Sequence, residues 1–420
     1  MKQIDIPAIR GYMGNHVYYT STFTFQQIAD LVKPVDKELH TSNSLRDQIQ
    51  RSLTNNYESI KNYILSQKEH FFNALVLAVY DGDPSWNELE IDFKGVDYYS
   101  MGFLRLNGEE KIFPVDGQHR VEGIKKALTT NPNLASETIT VILIGHHNDK
   151  EGMEKTRRIF STLNRYAKPV SLGDTIALDE DDTVAITIRD LLEKYPLFMN
   201  KNIDVGKKNS KALAENDFHS FTALLTLYET NRIIYTYYKS ILDNKKRIYT
   251  SKNIDDFLKF RPEQEEINEF YEYLTGFWNM FTESFEGVND YIKLSRDCEG
   301  AAKTFRNKET GGLLYFRPVA LPQLVKAIFE IHYRLQIPLD ECIAKISKTE
   351  MCISKKPWNN VLWETKTKTM ITKYGRLVFL LIIYMFDAKV LTNKELDTLV
   401  KNYAKANDLE EGTAKSLLNL

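Results

Sequence analysis

Cysteine is scarce in this chain: three residues in 420, Cys298, Cys342 and Cys352, all in the last third. None has the CxxC spacing of a zinc site, and an odd, scattered set cannot build a disulfide framework, so the thiols are expected to be reduced and partly buried. Net charge is equally slight, 55 Lys+Arg against 57 Asp+Glu, or −2 at neutral pH. No global positive field draws such a chain onto nucleic acid, so any DNA contact must come from local basic clusters. Long apolar runs are also missing. The longest, Leu377 to Phe386, is about half of what a bilayer span requires, and Met1 to Arg10 alternates polar and apolar residues where a secretory leader would be basic and then apolar. These absences predict a cytoplasmic protein with no membrane partner. The chain also lacks a Walker A pattern, a clear helix-turn-helix, internal repeats and low-complexity tracts.

What is present, 43% hydrophobic and 27% charged residues, is ordinary for a folded protein, and the length suits two domains. Strand and helix signals alternate up to about residue 175. Val17 to Ser21 reads as an edge strand, and Thr24 can cap a short helix through Val32. Leu45, Ile49, Leu53, Ile60 and Ile64 repeat at helical intervals between Ser44 and Ser66, with Arg46 and Arg51 on other faces. Ala74–Tyr80, Leu89–Phe93, Tyr98–Leu106 and Thr138–Ile144 read as strands. Gly152–Tyr166 reads as a helix with Ile159, Phe160 and Leu163 as its buried stripe. The alternation predicts an α/β domain with a mixed sheet over residues 1–175. Beyond it strand signals nearly vanish, and residues 176–420 are expected to form a mainly α-helical domain, interrupted by the glycine-started stretch Gly311 to Ala320.

The most informative stretch runs from Lys111 to Leu128. An apolar strand turns at Asp116-Gly117 and continues as a helix with Val121, Ile124 and Leu128 inside. Asp116, Gly117, Gln118, His119 and Arg120 fall at the turn, where a helix start offers unpaired N–H groups and the positive end of its dipole. Gly117 lets backbone approach a phosphate, Arg120 can grip it bidentately, His119 can pass a proton, and Asp116 can hold a metal ion or orient a hydroxyl. The same residues also describe a plain turn with a capping Asp and a surface His and Arg. A second polar group, Arg157, Arg158, Asn164 and Arg165, shares one helix. Lys207, Lys208 and Lys211, and Lys245, Lys246 and Arg247, form two basic loops that can meet DNA phosphates or be solvated. Asp179 to Asp182 can cap a helix at Thr183 or, less simply, hold a metal. Tyr235, Tyr237 and Tyr238 fit packing better than base stacking.

Asp116-Gly-Gln-His-Arg120 resembles the signature of DGQHR-domain proteins, and the surrounding chain resembles the DndB family, regulators of bacterial DNA sulfur (phosphorothioate) modification. The similarity extends to Ile6-Pro-Ala-Ile-Arg-Gly11 with Val17-Tyr-Tyr, to Phe160-Ser-Thr-Leu-Asn-Arg165 with Lys168-Pro-Val-Ser-Leu172, and to Leu313-Leu-Tyr-Phe-Arg-Pro-Val319. The DGQHR domain is in turn similar to the ParB/sulfiredoxin superfamily, whose equivalent turn binds nucleotide phosphates. The resemblance implies a ParB/sulfiredoxin-like fold for residues 1–175, with Gly117, Gln118, Arg120, Asn164 and Arg165 binding phosphate or nucleotide. Asp116, His119 and Arg120 would be catalytic, Asp116 the metal ligand, and an NTP with Mg²⁺ the cofactor. Sulfiredoxin chemistry itself is excluded, because Gln118 stands where its cysteine belongs. The implied function is a repressor that binds double-stranded promoter DNA of a modification operon. The alternative is a ParB-like NTPase in DNA modification or phage defence. A third reading is a scaffold for DNA-modification proteins that docks through Leu377 to Phe386, a stripe that would otherwise be core.

Overall fold

The computed structural model describes residues 3–34, 57–98, 100–147, 149–166, 171–206, 210–214 and 216–418. Arg46, Arg51, Lys207 and Lys208 lie outside the described residues, as do the side chains of Phe160, Asn164 and Arg165. The chain divides into two compact units, residues 1–169 and 170–420.

The first unit is built on a seven-stranded sheet. Its strands are β1 (Ile4–Met13), β2 (His16–Thr24), β3 (Leu75–Tyr80), β4 (Ser85–Glu88), β7 (Met101–Leu106), β8 (Lys111–Asp116) and β9 (Thr138–Gly145), with β5 (Ile91–Phe93) and β6 (Val96–Tyr98) forming a separate hairpin. The spatial order is β4-β7-β1-β2-β9-β3-β8, and every pair is antiparallel except β3 with β9. One parallel pair makes the sheet mixed. It arises because β3 and β9 are separated by a long excursion, including β8 and a helix, that returns the chain to the same end.

Side-chain alternation explains the continuous apolar run in β3. Leu75, Leu77 and Val79 face a core shared with helices α1 (Phe25–Leu31), α2 (Tyr57–Ser66) and α3 (Gln118–Thr130). Ala78 and Tyr80 face the opposite side with Phe113, Val115 and Ile144, where Ile159 of helix α4 (Lys150–Tyr166) packs. A strand buried on both faces reads as unbroken hydrophobicity. α1 starts as its sequence predicts: Thr24 accepts from Gln27 N, and the Gln27 side chain accepts from Thr24 N.

Three sequence expectations need correction here. Val17 to Ser21 belongs to an interior strand, β2, paired with β1 on one side and β9 on the other. Its Tyr and Thr residues look like an edge, yet Phe23 is fully buried and Ser21 Oγ donates to Pro7 O at 2.6 Å. In α3 the buried positions are Val121, Gly123, Ile124 and Ala127, while Leu128 is only half-buried. Gly123 admits α2 closely, since a Cβ there would lie 2.5 Å from Ile60 Cγ2. In α4, Leu163 is 38% exposed, and the inward line of the described side chains is Gly152, Thr156 and Ile159.

The second unit is helical, and its only described ladders are the short pairs 203–204 with 222–223 and 363–364 with 369–370. Helices Leu224–Leu242, Gln264–Ser284, Leu321–Leu335 and Gly375–Phe386 surround an aromatic core in which Trp278 and Trp358 are fully buried. Tyr235 and Tyr237 are buried, and Tyr238 lies against Phe270 and Tyr273. Leu377 to Ile383 and Phe386 are buried as well, so the apolar stripe is core and not a docking face. Among the described residues no helix is long and apolar enough to cross a membrane. Asp182 caps helix Thr183–Lys194 by accepting from Ala185 N at 2.9 Å, and the described residues contain no group of three or more potential metal ligands there or elsewhere.

An ion-pair knot pins helix Asn393–Asn407 to Leu321–Leu335. Arg334 donates to Glu395 through Nη1 at 2.8 Å and Nη2 at 2.9 Å, and Thr392 N donates to the same carboxylate. The Arg334 bonds, helped by the Thr392 N–H, outweigh burial and hold Glu395 at about 2, down from an ordinary 4.5. A depressed carboxyl stabilises the fold at pH above its unfolded value and loses that contribution on protonation. Stability is therefore expected to fall as pH drops from 4.5 towards 2, and Glu395→Gln should flatten that part of a urea-denaturation pH profile.

Candidate functional site at a strand-to-helix corner

β8 is the last strand of the sheet, and α3 follows after one residue. The register slips between Val76 and Leu77, so that Val76 faces Asp116 while Leu77 faces Pro114. This bulge re-aims the end of the strand. Gly117 is the helix N-cap with φ +88° and no side-chain cap. Only glycine fits: besides the left-handed backbone, a Cβ would lie 2.4 Å from Leu75 Cδ2 and 3.0 Å from Arg120 Nη2. Gly117→Ala is expected to cost about 1–2 kcal/mol from the backbone alone, measured by chemical denaturation.

Arg120 turns back over this glycine. Its Nη2 donates to Asp116 Oδ2 at 2.7 Å, while Nη1 donates to Asn73 O at 2.6 Å, to Ala74 O at 3.2 Å and to the Asn73 side-chain carbonyl. The guanidinium is mostly buried, 13% exposed, and Asp116 is 36% exposed. Arg120 thus straps the corner to the segment leading into β3. Gln118 and His119 differ from it. Gln118 Oε1 and His119 Nδ1 are both shut off from solvent with no hydrogen-bond partner among the described residues. Each such orphan costs about 1–3 kcal/mol, and two on adjacent residues at a helix start mark a place that a polar ligand or water would complete. Because amide oxygen and nitrogen are interchangeable assignments, Gln118 can present either an acceptor or a donor there.

α4 leaves β9 where Gly145 pairs with Val79, and His146 Nδ1 meets Thr156 Oγ1 at 2.8 Å early in the helix. Ile159 of the helix packs against the cluster that holds Phe113 and Val115 of β8. Arg158 is engaged within α4, with Nη2 2.6 Å from Glu154 Oε1.

The basic loops belong to the second unit. Lys211 pairs with Glu229 at 2.7 Å. Lys245, Lys246 and Arg247 are exposed in the turn after helix Leu224–Leu242, with Lys245 Nζ 5.3 Å from the Tyr249 ring centre.

The stretch from Ile6 to Asn360, which carries the sheet, the corner and most of the helical unit, matches the family model DndB, DNA-sulfur modification-associated. The chain belongs to that family, and membership ties it to DNA sulfur modification. No curated protein and no solved structure matches it.

Sequence reasoning missed a cavity of about 1000 Å³ in the helical unit, lined by segments around Lys211, Arg306, Arg317, Gln323 and Lys368. In sequence, the break at Gly311-Gly312 falls between two of its lining segments, 306–308 and 317–319. Gly312 has φ +80°, and a Cβ there would fall 2.0 Å from Phe305 O.

Proposed function

We propose that this chain is a DNA-binding regulator of a phosphorothioate modification system, a repressor that binds double-stranded promoter DNA of the modification operon. The observation that carries this reading is the family match over residues 6–360. A neutral chain needs local cations to meet phosphates, and Lys245, Lys246 and Arg247 form an exposed run of three. Lys211 has to leave Glu229 to contribute, and Lys207 and Lys208 extend the same loop in sequence. Gel shifts with the DNA upstream of the chain's own operon, repeated over a salt series, test the reading. Preference over random duplex and a steep salt slope are expected; a flat response with no preference rejects it.

A second reading is favoured by the two orphaned atoms at the corner: a ParB/sulfiredoxin-like fold that binds an NTP there, as cofactor or switch. The helix-start N–H groups, Gln118 and His119 suit a phosphate, whereas Arg120 and Asp116 are already committed to each other. Asn164 and Arg165 would join if they turn inward. Asp116 alone cannot hold Mg²⁺, so the ion would arrive with the nucleotide, the phosphates supplying further oxygens. Bound there, Mg²⁺ would neutralise phosphate charge, and His119 would move a proton. Thermal shift with ATP, GTP and CTP plus Mg²⁺, with His119→Ala as control, tests this reading. Stabilisation of the wild type and its loss in the variant are expected, and no shift with any nucleotide removes it.

A further inference from the structure

The cavity in the helical unit carries an excess of positive charge. Five cations line it, Lys211, Arg306, Lys308, Arg317 and Lys368, against two carboxylates, Asp217 and Glu229; Lys211 is paired with Glu229, and Lys368 with Glu309 just outside the lining. Arg306 is compensated: it donates to Ser220 O at 2.8 Å and Asp217 O at 2.6 Å, with the Asp217 carboxylate 3.4 Å away. Arg317 is not compensated in this way. Its Nε donates to Gly311 O at 2.7 Å and its Nη2 to Asn307 O at 3.2 Å, both neutral carbonyls, and the guanidinium lies 5.6 Å from the Trp363 ring centre. Burial, reinforced by the like charge of Arg306, pushes Arg317 down to about 10. A half-buried cation that meets another cation and, among the described residues, no acid lacks a counter-charge.

Two long helices begin at the same cavity. Pro322 and Gln323 lie in the first turn of Leu321–Leu335, and Gly375 opens Gly375–Phe386. Neither helix has a side-chain cap, although at the first of them Leu321 N already donates to Arg317 O at 3.0 Å and Pro322 has no N–H, which leaves Gln323 N as the donor of that first turn. The two starts adjoin, since a Cβ on Gly375 would lie 3.8 Å from the Gln323 amide. Two helix starts, the first with Gln323 N as its donor, and an arginine with no acid among the described residues converge on one space, a combination that suits an anion. Phe218, Val319 and Met370 supply an apolar wall, and about 1000 Å³ reaches the upper end of the range typical for small-molecule sites.

We propose that this cavity binds a phosphate-bearing ligand of the nucleotide class, its phosphates held between Arg317 and the starts of helices Leu321–Leu335 and Gly375–Phe386. The assignment is independent of the corner and of promoter binding. Arg317→Met risks unfolding the unit, so the decisive variant is Gln323→Glu. A carboxylate in the first helical turn suits the dipole, keeping the protein folded while it occupies the anion's place.

Calorimetric titration of the full-length protein with ATP, pyrophosphate and a short single-stranded oligonucleotide, for wild type, Gln323→Glu and His119→Ala, tests the assignment. Wild type is expected to bind at least one of them, and Gln323→Glu to bind roughly tenfold or more weakly with an unchanged or higher Tm. Loss of ATP or pyrophosphate binding in that variant identifies a free small anion as the ligand. Loss of oligonucleotide binding alone identifies a strand as the source of the phosphate. Binding of none of the three, or equal binding by Gln323→Glu and wild type, overturns the proposal. So does binding that survives Gln323→Glu and disappears in His119→Ala, which would place the phosphate at the corner.

Discussion

Arg120→Ala is expected to destabilise the sheet unit by about 2–4 kcal/mol, read as a lower urea midpoint, because the change strands several groups at once. Asp116 loses its cation, and the Asn73 and Ala74 carbonyls lose their donor. The Asp116 carboxylate still reaches water, which keeps the cost below that of a sealed ion pair. Arg120→Lys should recover part of the loss, since one ammonium can face Asp116 but cannot also reach the 73–74 backbone with a planar fork. His119→Ala is expected to be nearly neutral for stability, as Nδ1 has no partner among the described residues to lose. If Arg120→Ala leaves the midpoint unchanged, Arg120 is not a strap. The contrast bears on function. An Arg120 variant that loses activity reports on folding first, whereas His119 and Gln118 variants report on whatever the corner binds.

The second large effect concerns DNA. Replacing Lys245, Lys246 and Arg247 together by alanine should lower the slope of log affinity against log salt by roughly 2–3, about 0.9 for each phosphate that is no longer neutralised. Promoter affinity at physiological salt should drop by roughly one to two orders of magnitude. Stability should stay within about 0.5 kcal/mol because all three side chains are exposed. Fluorescence anisotropy over a salt series separates the outcomes. An unchanged slope would move the DNA contact away from this turn. Lys211→Ala alone should have a smaller effect, since that ammonium is already paired with Glu229.

Much of the framework could be read from residue spacing. β3, β8, α3 and β9 stand near where period-2 and period-3.6 patterns put them, and the Thr24 and Asp182 caps follow from short polar side chains ahead of apolar runs. The failures have physical causes too. β2 looked like an edge because its Tyr and Thr residues are only partly covered, although backbone pairing encloses it on both sides. Leu163 continued a helical period past the region where the sheet can meet it. The motif at Asp116–Arg120 was visible as a turn, but not the commitment of Arg120 to Asn73 and Ala74, which are 47 and 46 residues away. The helical-unit cavity was least legible. Lys211, Arg306, Arg317 and Gly375 come from separate segments and become one site only after packing, which no local period records.

The outer margin of β8 has a consequence for how copies of this chain can meet. Val32 bridges to Ile112 there and Lys33 N donates to Ile112 O at 2.8 Å, so part of the strand's free side is already covered. Two residues further on, Pro114 has no amide hydrogen to offer, and the bulge beyond it bends the backbone away from a straight template. A neighbouring molecule therefore finds no continuous row of donors and acceptors on that flank. Sheet-to-sheet polymerisation is disfavoured beside Asp116–Arg120, which leaves β4, four residues long at the far side of this sheet, as its other flank for intermolecular strand pairing.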